Sequence, residues 1–253
     1  MKESVFSLQN GVYHCVVNEV LSFLAANGVG TMVVGGVAVQ AHTLKMAADA
    51  KLLLPNDFIR KTDDLDLVVT SALDQEAILG AMKKLAERFD GFVGEAGETL
   101  FEVNMTRVGA VKPLLRVTYV SADGQEHIDD IKLNLSPPSD NQTIDPAFQQ
   151  DKESITLSHI ECASNLTADV ICLEHLVMNK LAKAREKDLV DAGKLADVIK
   201  KTDAGFSTEK ADEAFYHAKD CSKELRNRYH EFLRRAGKSV ERKPKPKGLK
   251  ISR

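Results

Sequence analysis

Apolar residues recur at two different spacings along this chain, and the change from one to the other marks out its elements. Val16, Val20, Phe23 and Leu24 stand at helical intervals within Gly11 to Asn27, and Gly28 follows where a left-handed residue ends a helix, so this stretch predicts a helix. Gly30 to Val34 predicts a short buried strand, and after Gly35-Gly36 the segment Val37 to His42 has helix-forming composition. Strict alternation then sets in: Leu65, Leu67 and Val69 share one face of a predicted strand, Asp64 and Asp66 the other. Ser71 is the expected cap of a helix reaching about Phe89. Strands are expected over Thr99 to Met105 and Leu114 to Val120, with Ala122-Asp123-Gly124 turning the latter into Glu126 to Leu135 as a hairpin. Pro137-Pro138 begins a polar loop, Ile155 to Cys162 predicts a short strand, and Leu166 to Leu233 reads as helical. The predicted class is α+β, a mixed sheet backed by helices over residues 1–160 and a helical domain over 161–236, with no internal repeat.

Composition changes this picture little. The 253 residues are 43% hydrophobic and 28% charged, an ordinary globular balance with length for a sizeable core. The N-terminus lacks the pattern of a secretory signal and no apolar run reaches the roughly 18 residues of a membrane helix, so no membrane partner and a cytoplasmic location are expected. Cys15, Cys162, Cys172 and Cys221 are widely spaced without a Cys-x-x-Cys pair, which predicts reduced, mostly buried thiols rather than a zinc site or a disulfide framework. His42, His127, His159 and His175 form no evident ligand cluster. Charge is uneven: Ala236 to Arg253 holds seven Lys or Arg against Glu241 alone, a net +6, leaving −9 on the rest of a chain whose total is −3. That tail, residues 237–253, is broken by Pro244, Pro246 and Gly248 and is expected to be disordered, either contacting nucleic-acid phosphates or serving solubility.

The candidate chemistry lies at Asp64 and Asp66. Two residues apart on a strand, about 6.6 Å along its axis, both carboxylates can converge on one Mg²⁺ or Mn²⁺. Gly35-Gly36, between a strand and a helix, lets backbone amides approach phosphate oxygens closely. A phosphate cradle followed by a metal-binding strand suits metal-bound phosphates, the alternative being an edge strand with solvated acids beside a plain glycine turn. Farther on, Leu173, Val177, Leu181 and Ala184 make an apolar stripe with Lys180 and Asp188 at its edge. That pair either satisfies itself as a structural contact or leaves Lys180 to neutralise phosphate charge.

Taken together, Gly35-Gly36-Val37-Ala38, Arg60-Lys61-Thr62-Asp63-Asp64-Leu65-Asp66 and Lys180-Leu181-Ala182-Lys183-Ala184-Arg185-Glu186-Lys187-Asp188-Leu189-Val190-Asp191 resemble the nucleotidyltransferase superfamily, and within it the AbiEii-type toxin group. One departure is length: 27 residues separate Gly36 from Asp64, so Met46 to Asp57 reads as an insertion.

The resemblance implies a nucleotidyltransferase-type mixed sheet followed by a helical domain that closes over the nucleotide. It implies Mg²⁺- or Mn²⁺-dependent transfer of a nucleoside monophosphate from an NTP to an acceptor hydroxyl, of a tRNA or other RNA end or of a protein, and a toxin's role with a cognate antitoxin. Asp64 and Asp66 would hold metal, Gly35, Gly36, Arg60, Thr62, Arg185 and Lys187 the nucleotide, and Lys180 the departing pyrophosphate. A third carboxylate is needed as ligand or base. Strand parity in Glu126 to Leu135 puts Asp130, Lys132 and Asn134 on the open face and Asp129 on the packed face, which favours Asp130. The family pattern sets its third acid where this chain has Asn134, and a site completed by asparagine would make a catalytically degenerate protein that binds nucleotide or RNA without transfer.

Overall fold

The computed structural model describes residues 8–55, 58–60, 62, 64–72, 75–96, 99–107, 113–120, 124–136, 151–158, 165–203, 205–218 and 221–240. In chain order the elements are α1 (Leu8–Ala26), β1 (Thr31–Val34), α2 (Gly35–Asp49), β2 (Asp64–Val69), α3 (Gln75–Phe89), β3 (Phe92–Ala96), β4 (Thr99–Arg107), β5 (Pro113–Val120), β6 (Glu126–Ser136), β7 (Lys152–Ser158), β8 (Asn165–Ile171), α4 (Leu173–Lys183), α5 (Glu186–Thr202), α6 (Thr208–Tyr216) and α7 (Lys223–Arg235). The fold is α+β, and all eight strands join one mixed sheet in the order β3-β4-β5-β6-β2-β1-β8-β7. β2 runs parallel to β6 and β1 parallel to β8, while the other pairs are antiparallel.

The apolar periodicities account for what is buried. Val16, Val20 and Leu24 on α1 are fully buried, and the helix ends in a Schellman motif: Val29 N–H donates to Leu24 O and Gly28 N–H to Ala25 O, with Gly28 at φ +76°. Leu65 and Leu67 of β2 and Ile131 and Leu133 of β6 lie inside at 2% exposure or less, each side chain contributing roughly 1.5–3 kcal/mol by leaving water. Ala81, Leu85 and Phe89 are the buried stripe of α3, which packs with α1. The other helical group is α2 with α4 and α5, and Leu173 to Leu181 of α4 is buried on every side.

Several expectations are corrected. Ser71 does not cap α3, which starts at Gln75; its hydroxyl accepts from Gly30 N–H and ties the end of β2 to the start of β1. Asn165–Ile171, expected to be helical, is a strand paired with both β1 and β7, so the sheet extends past residue 160 and continuous helix starts at Leu173. The last expected strand is Lys152–Ser158, and β3 was not foreseen. α2 reaches Asp49 and so takes in the start of the expected insertion. Cys172 and Cys221 carry reduced thiols but Cys15 is disulfide-bonded, against the expectation that all four are reduced; Cys162 lies outside the described residues. The Pro137-Pro138 loop, and the tail beyond Val240, lie outside the described residues. Among the described residues no helix is long and apolar enough to cross a membrane.

One buried group ties α2 to the sheet. His42 Nε2 lies 2.7 Å from Ile171 O, where it donates to the last carbonyl of β8. Burial pushes this imidazole below its ordinary 6.5; the Ile171 hydrogen bond and the Glu153 charge act against that, and Lys45 adds to it. With the folded value below the unfolded one, the stability owed to neutral His42 is complete above 6.5 and is lost as pH falls through the folded value. Thermal melts should therefore show the wild type losing stability as pH falls below about 6.5, ahead of most carboxylate titration, and His42→Asn should flatten that segment. An equal slope in both proteins would remove His42 as its cause.

Candidate active site

Residues from four regions of the chain meet around one cavity of about 280 Å³. Its floor is the end of β1, the start of β2 and Asn134 and Ser136 of β6. Asp64 and Asp66 face it together, as strand parity requires with Leu65 and Leu67 in the core. β2 is an interior strand, between β6 and β1, so these acids sit in the body of the sheet rather than at its edge.

Gly35 and Gly36 line the cavity and begin α2, which starts two residues earlier than composition suggested. Val34, the N-cap, offers no side-chain hydrogen bond, which leaves first-turn amides without a competing side-chain cap and suited to an anion. Both glycines are sterically required. Gly35 has φ +70°, and a Cβ there would stand 2.3 Å from Asp66 Oδ2; a Cβ on Gly36 would stand 2.6 Å from Thr62 Oγ1. The turn thus lies directly against Asp66 and the buried Thr62, whose hydroxyl donates to Asp64 O at 3.3 Å.

The opposite wall is the α4–α5 corner. Ala184 turns it in the left-handed conformation, at φ 51°, so the stripe expected to run through Ala184 is broken into two helices. Across that break Lys180 Nζ donates to Asp188 Oδ1 at 3.1 Å and to Asp191 Oδ2 at 2.8 Å, all three side chains being at most 6% exposed. Arg60, reaching over from the segment before β2, clasps Asp191 with Nε and Nη2 at 3.2 and 3.1 Å, while Gln40 of α2 donates to its carbonyl. Arg185 binds Asp188 through Nε at 2.6 Å. Burial alone would raise the Asp188 carboxyl, but the Arg185 hydrogen bond and the charge and hydrogen bond of Lys180 outweigh it and hold the group below the usual carboxylate range.

Several expected nucleotide ligands are therefore engaged within the protein. Arg60 and Lys180 line the cavity from inside a buried ion network, and Lys187 Nζ stands 3.9 Å from Asp64 Oδ2. Lys183, not singled out from sequence, also lines the cavity. Although its side chain is exposed, protein crowding around the ammonium lowers its pKa, the Arg185 charge lowers it further, and Asp66 and Asp188 oppose them. Leu176, Asn179, Lys180 and Lys183 recur at three- and four-residue steps, so the signal for this face was helical periodicity within the motif itself. Lining cations number five (Arg60, Lys180, Lys183, Arg185, Lys187) against three acids (Asp64, Asp66, Asp188), a net +2 that suits a polyanion carrying its own cation.

Asp130 does not join the site. The parallel register sets Asp64 opposite Lys132 and Asp66 opposite Asn134, so Asp130 lies farther down β6, on the correct face but the wrong level. There it forms a two-point pair with Arg116 of β5, at 2.9 and 3.1 Å, and the Arg116 hydrogen bond holds its carboxyl below the ordinary value. Asp129 accepts from Tyr119 OH at 3.2 Å on the packed side, as parity required. The residue beside the acid pair is Asn134, whose Nδ2 donates to Asp66 Oδ1 at 2.8 Å.

No protein-family model and no curated protein matches the chain. Among solved structures it is similar to an antigenic nucleotidyltransferase-like protein from Paracoccidioides brasiliensis, at 14% identity over 87% of each chain with a TM-score of 0.46. It is also similar to MenT4, a nucleotidyltransferase toxin from Mycobacterium tuberculosis, at 14% identity over 89% of this chain and 86% of that one, TM-score 0.43. A third likeness is to the antibiotic-resistance factor ANT(2'')-Ia, at 14% identity over 89% and 94% of the two chains, TM-score 0.36. TM-scores this low assign no activity to this chain.

The ion network makes Lys180 a folding determinant as well as a wall of the cavity. Lys180→Ala leaves Asp188 and Asp191 facing each other inside the protein, and the expected loss in denaturant unfolding is about 3–5 kcal/mol, the scale for removing one side of a buried pair. A loss below about 1 kcal/mol, typical of exposed pairs, would mean that Arg60 and Arg185 carry the network without it.

Proposed function

We propose that this chain is a metal-dependent nucleotidyltransferase that moves a nucleoside monophosphate from an NTP to an acceptor hydroxyl. One observation carries the reading: Asp64 and Asp66 share a face of β2 directly against the Gly35-Gly36 start of α2, under a wall of lysine and arginine. Paired carboxylates are hard oxygen donors, the donor set that suits Mg²⁺ or Mn²⁺ when substrate phosphates and water complete the shell. Such an ion, when bound, supplies positive charge to the reacting phosphoryl oxygens.

The remaining tasks fall to the chain itself. First-turn amides at Gly35 and Gly36 receive phosphate oxygens, with Thr62 packed behind them. Lys183, Arg185 and Lys187 face the tail of the triphosphate and offset the charge that grows on departing pyrophosphate. Arg60 and Lys180 act from behind, fixing Asp188, Asp191 and with them the angle of the α4–α5 corner. We extend the proposal to an acceptor on an RNA end, such as that of tRNA, or on a protein, and to a cytoplasmic toxin held in check by an antitoxin, following the sequence motifs.

Asn134 favours a second reading, a protein of the same build that holds nucleotide or RNA without reacting. An amide opposite Asp66 is a weaker ligand than a carboxylate and cannot accept the acceptor's proton.

Incubation with each labelled NTP, Mg²⁺ or Mn²⁺ and total RNA, followed by separation of RNA from protein, distinguishes the two. Transfer is expected from at least one NTP, and Asp64→Ala and Asp66→Ala should each abolish it while keeping the fold. Nucleotide binding without transfer in the wild type, with transfer gained in Asn134→Asp, would establish the second reading; neither binding nor transfer would overturn both.

A further inference from the structure

At the other end of α4 three potential metal ligands of different kinds converge. Cys172 caps the helix and follows directly on β8, and its N–H donates to Asp151 O at 3.0 Å, extending the β7–β8 ladder by one pair beyond Lys152 and Ile171. Residues facing each other on such a ladder project side chains to the same side of the sheet, which brings the Asp151 carboxylate beside the Cys172 thiol. His175 lies three residues on, in the first turn of α4, close enough to fold back over Cys172. One ligand atom from each of the three lies within 4.8 Å of the other two.

We propose that Asp151, Cys172 and His175 form a second metal site, for a zinc-class divalent cation, separate from the nucleotide cavity. A thiolate, an imidazole and a carboxylate are the mixed sulfur, nitrogen and oxygen set that zinc accepts, with a fourth position left to water. Two ligands are held in place by packing, Cys172 and His175 being 1% and 2% exposed, while the exposed Asp151 provides the way in. The location already carries a cation: Lys210 Nζ of α6 stands 3.4 Å from Asp151 Oδ2, on a side chain exposed enough to swing aside. Metal would take its place. Burial pushes the Cys172 thiol up to about 12, so binding forms the sulfur–metal bond as the thiol proton leaves to solvent, and the start of α4 favours the resulting thiolate. None of the three residues lines the nucleotide cavity, and Lys180 is eight residues on, about 12 Å along the helix. The bound ion would fasten the first residue before β7 to the helix whose far end walls that cavity.

Cobalt(II) titration of the full chain, stripped of metal by chelation, tests this. Cobalt bound to Asp64 and Asp66 would have oxygen ligands only, so a thiolate-to-cobalt charge-transfer band reports this site alone. One equivalent of cobalt should produce the band and zinc should abolish it. Cys172→Ser, checked for folding by circular dichroism, should lack it, and the surface substitution Asp151→Asn should weaken cobalt binding by about tenfold or more. No band in the wild type, the same band in Cys172→Ser, or unchanged affinity in Asp151→Asn would each overturn the site.

Discussion

The architecture around the cavity depends on a charge network in the protein interior. Asp191 accepts from Arg60 and Lys180, and Asp188 from Lys180 and Arg185, so two buried acids are shared among three cations from three parts of the chain. Moving such charges out of water costs several kcal/mol per ion, which the network recovers only with every partner in place. A helical corner docked at another angle would leave a buried carboxylate unpaired. The network therefore works as a selector of geometry more than as a source of stability. It ties α4 and α5 to Arg60, four residues ahead of Asp64, and α2 grips the same residue through Gln40.

With that corner placed, local rules do the rest. Strand parity turns Asp64 and Asp66 toward the cavity, pairing with β1 puts Val34 beside Asp66, and the chain can leave β1 there only through a residue without a side chain, in a left-handed conformation. The first-turn amides of α2 and the carboxylates of Asp64 and Asp66 are thereby adjacent because β1 ends where its antiparallel partner β2 begins. The cations that remain at the surface of the wall, Lys183, Arg185 and Lys187, belong to the same corner that the network holds, so the positive field over the acid pair is a consequence of its packing.

What could be read from the sequence was what repeats at short range. The α1 stripe, the acidic strand and the inward face of β6 follow from periods of 3.6 and 2, and burial obeys them at Val16, Leu65 and Leu133. Parity also separated Asp129 from Asp130 correctly, yet it says nothing of level along a strand. The β2–β6 register supplies that level and sets Asn134, four residues farther on, beside Asp66, the position to which the motif resemblance pointed. β8 was hidden because Asn165-Leu166-Thr167-Ala168-Asp169 mixes polar and helix-favouring residues, and its strand character comes from neighbours β1 and β7. The break at Ala184 was invisible for a related reason: alanine is the strongest helix former, and tertiary packing holds it at positive φ. The partners of Lys180 illustrate the limit, since Asp188 lies within reach of a helical pattern whereas the link through Asp191 to Arg60 spans 131 residues.

In the proposed function the acid pair and the glycine turn together receive a metal-bound triphosphate. Anomalous diffraction from crystals grown with Mn²⁺ and a non-hydrolysable NTP analogue tests it most directly. Manganese is expected between the carboxylates of Asp64 and Asp66, with phosphate oxygens at the Gly35 and Gly36 amides. Manganese or triphosphate bound elsewhere, with that cradle filled only by solvent, would contradict it.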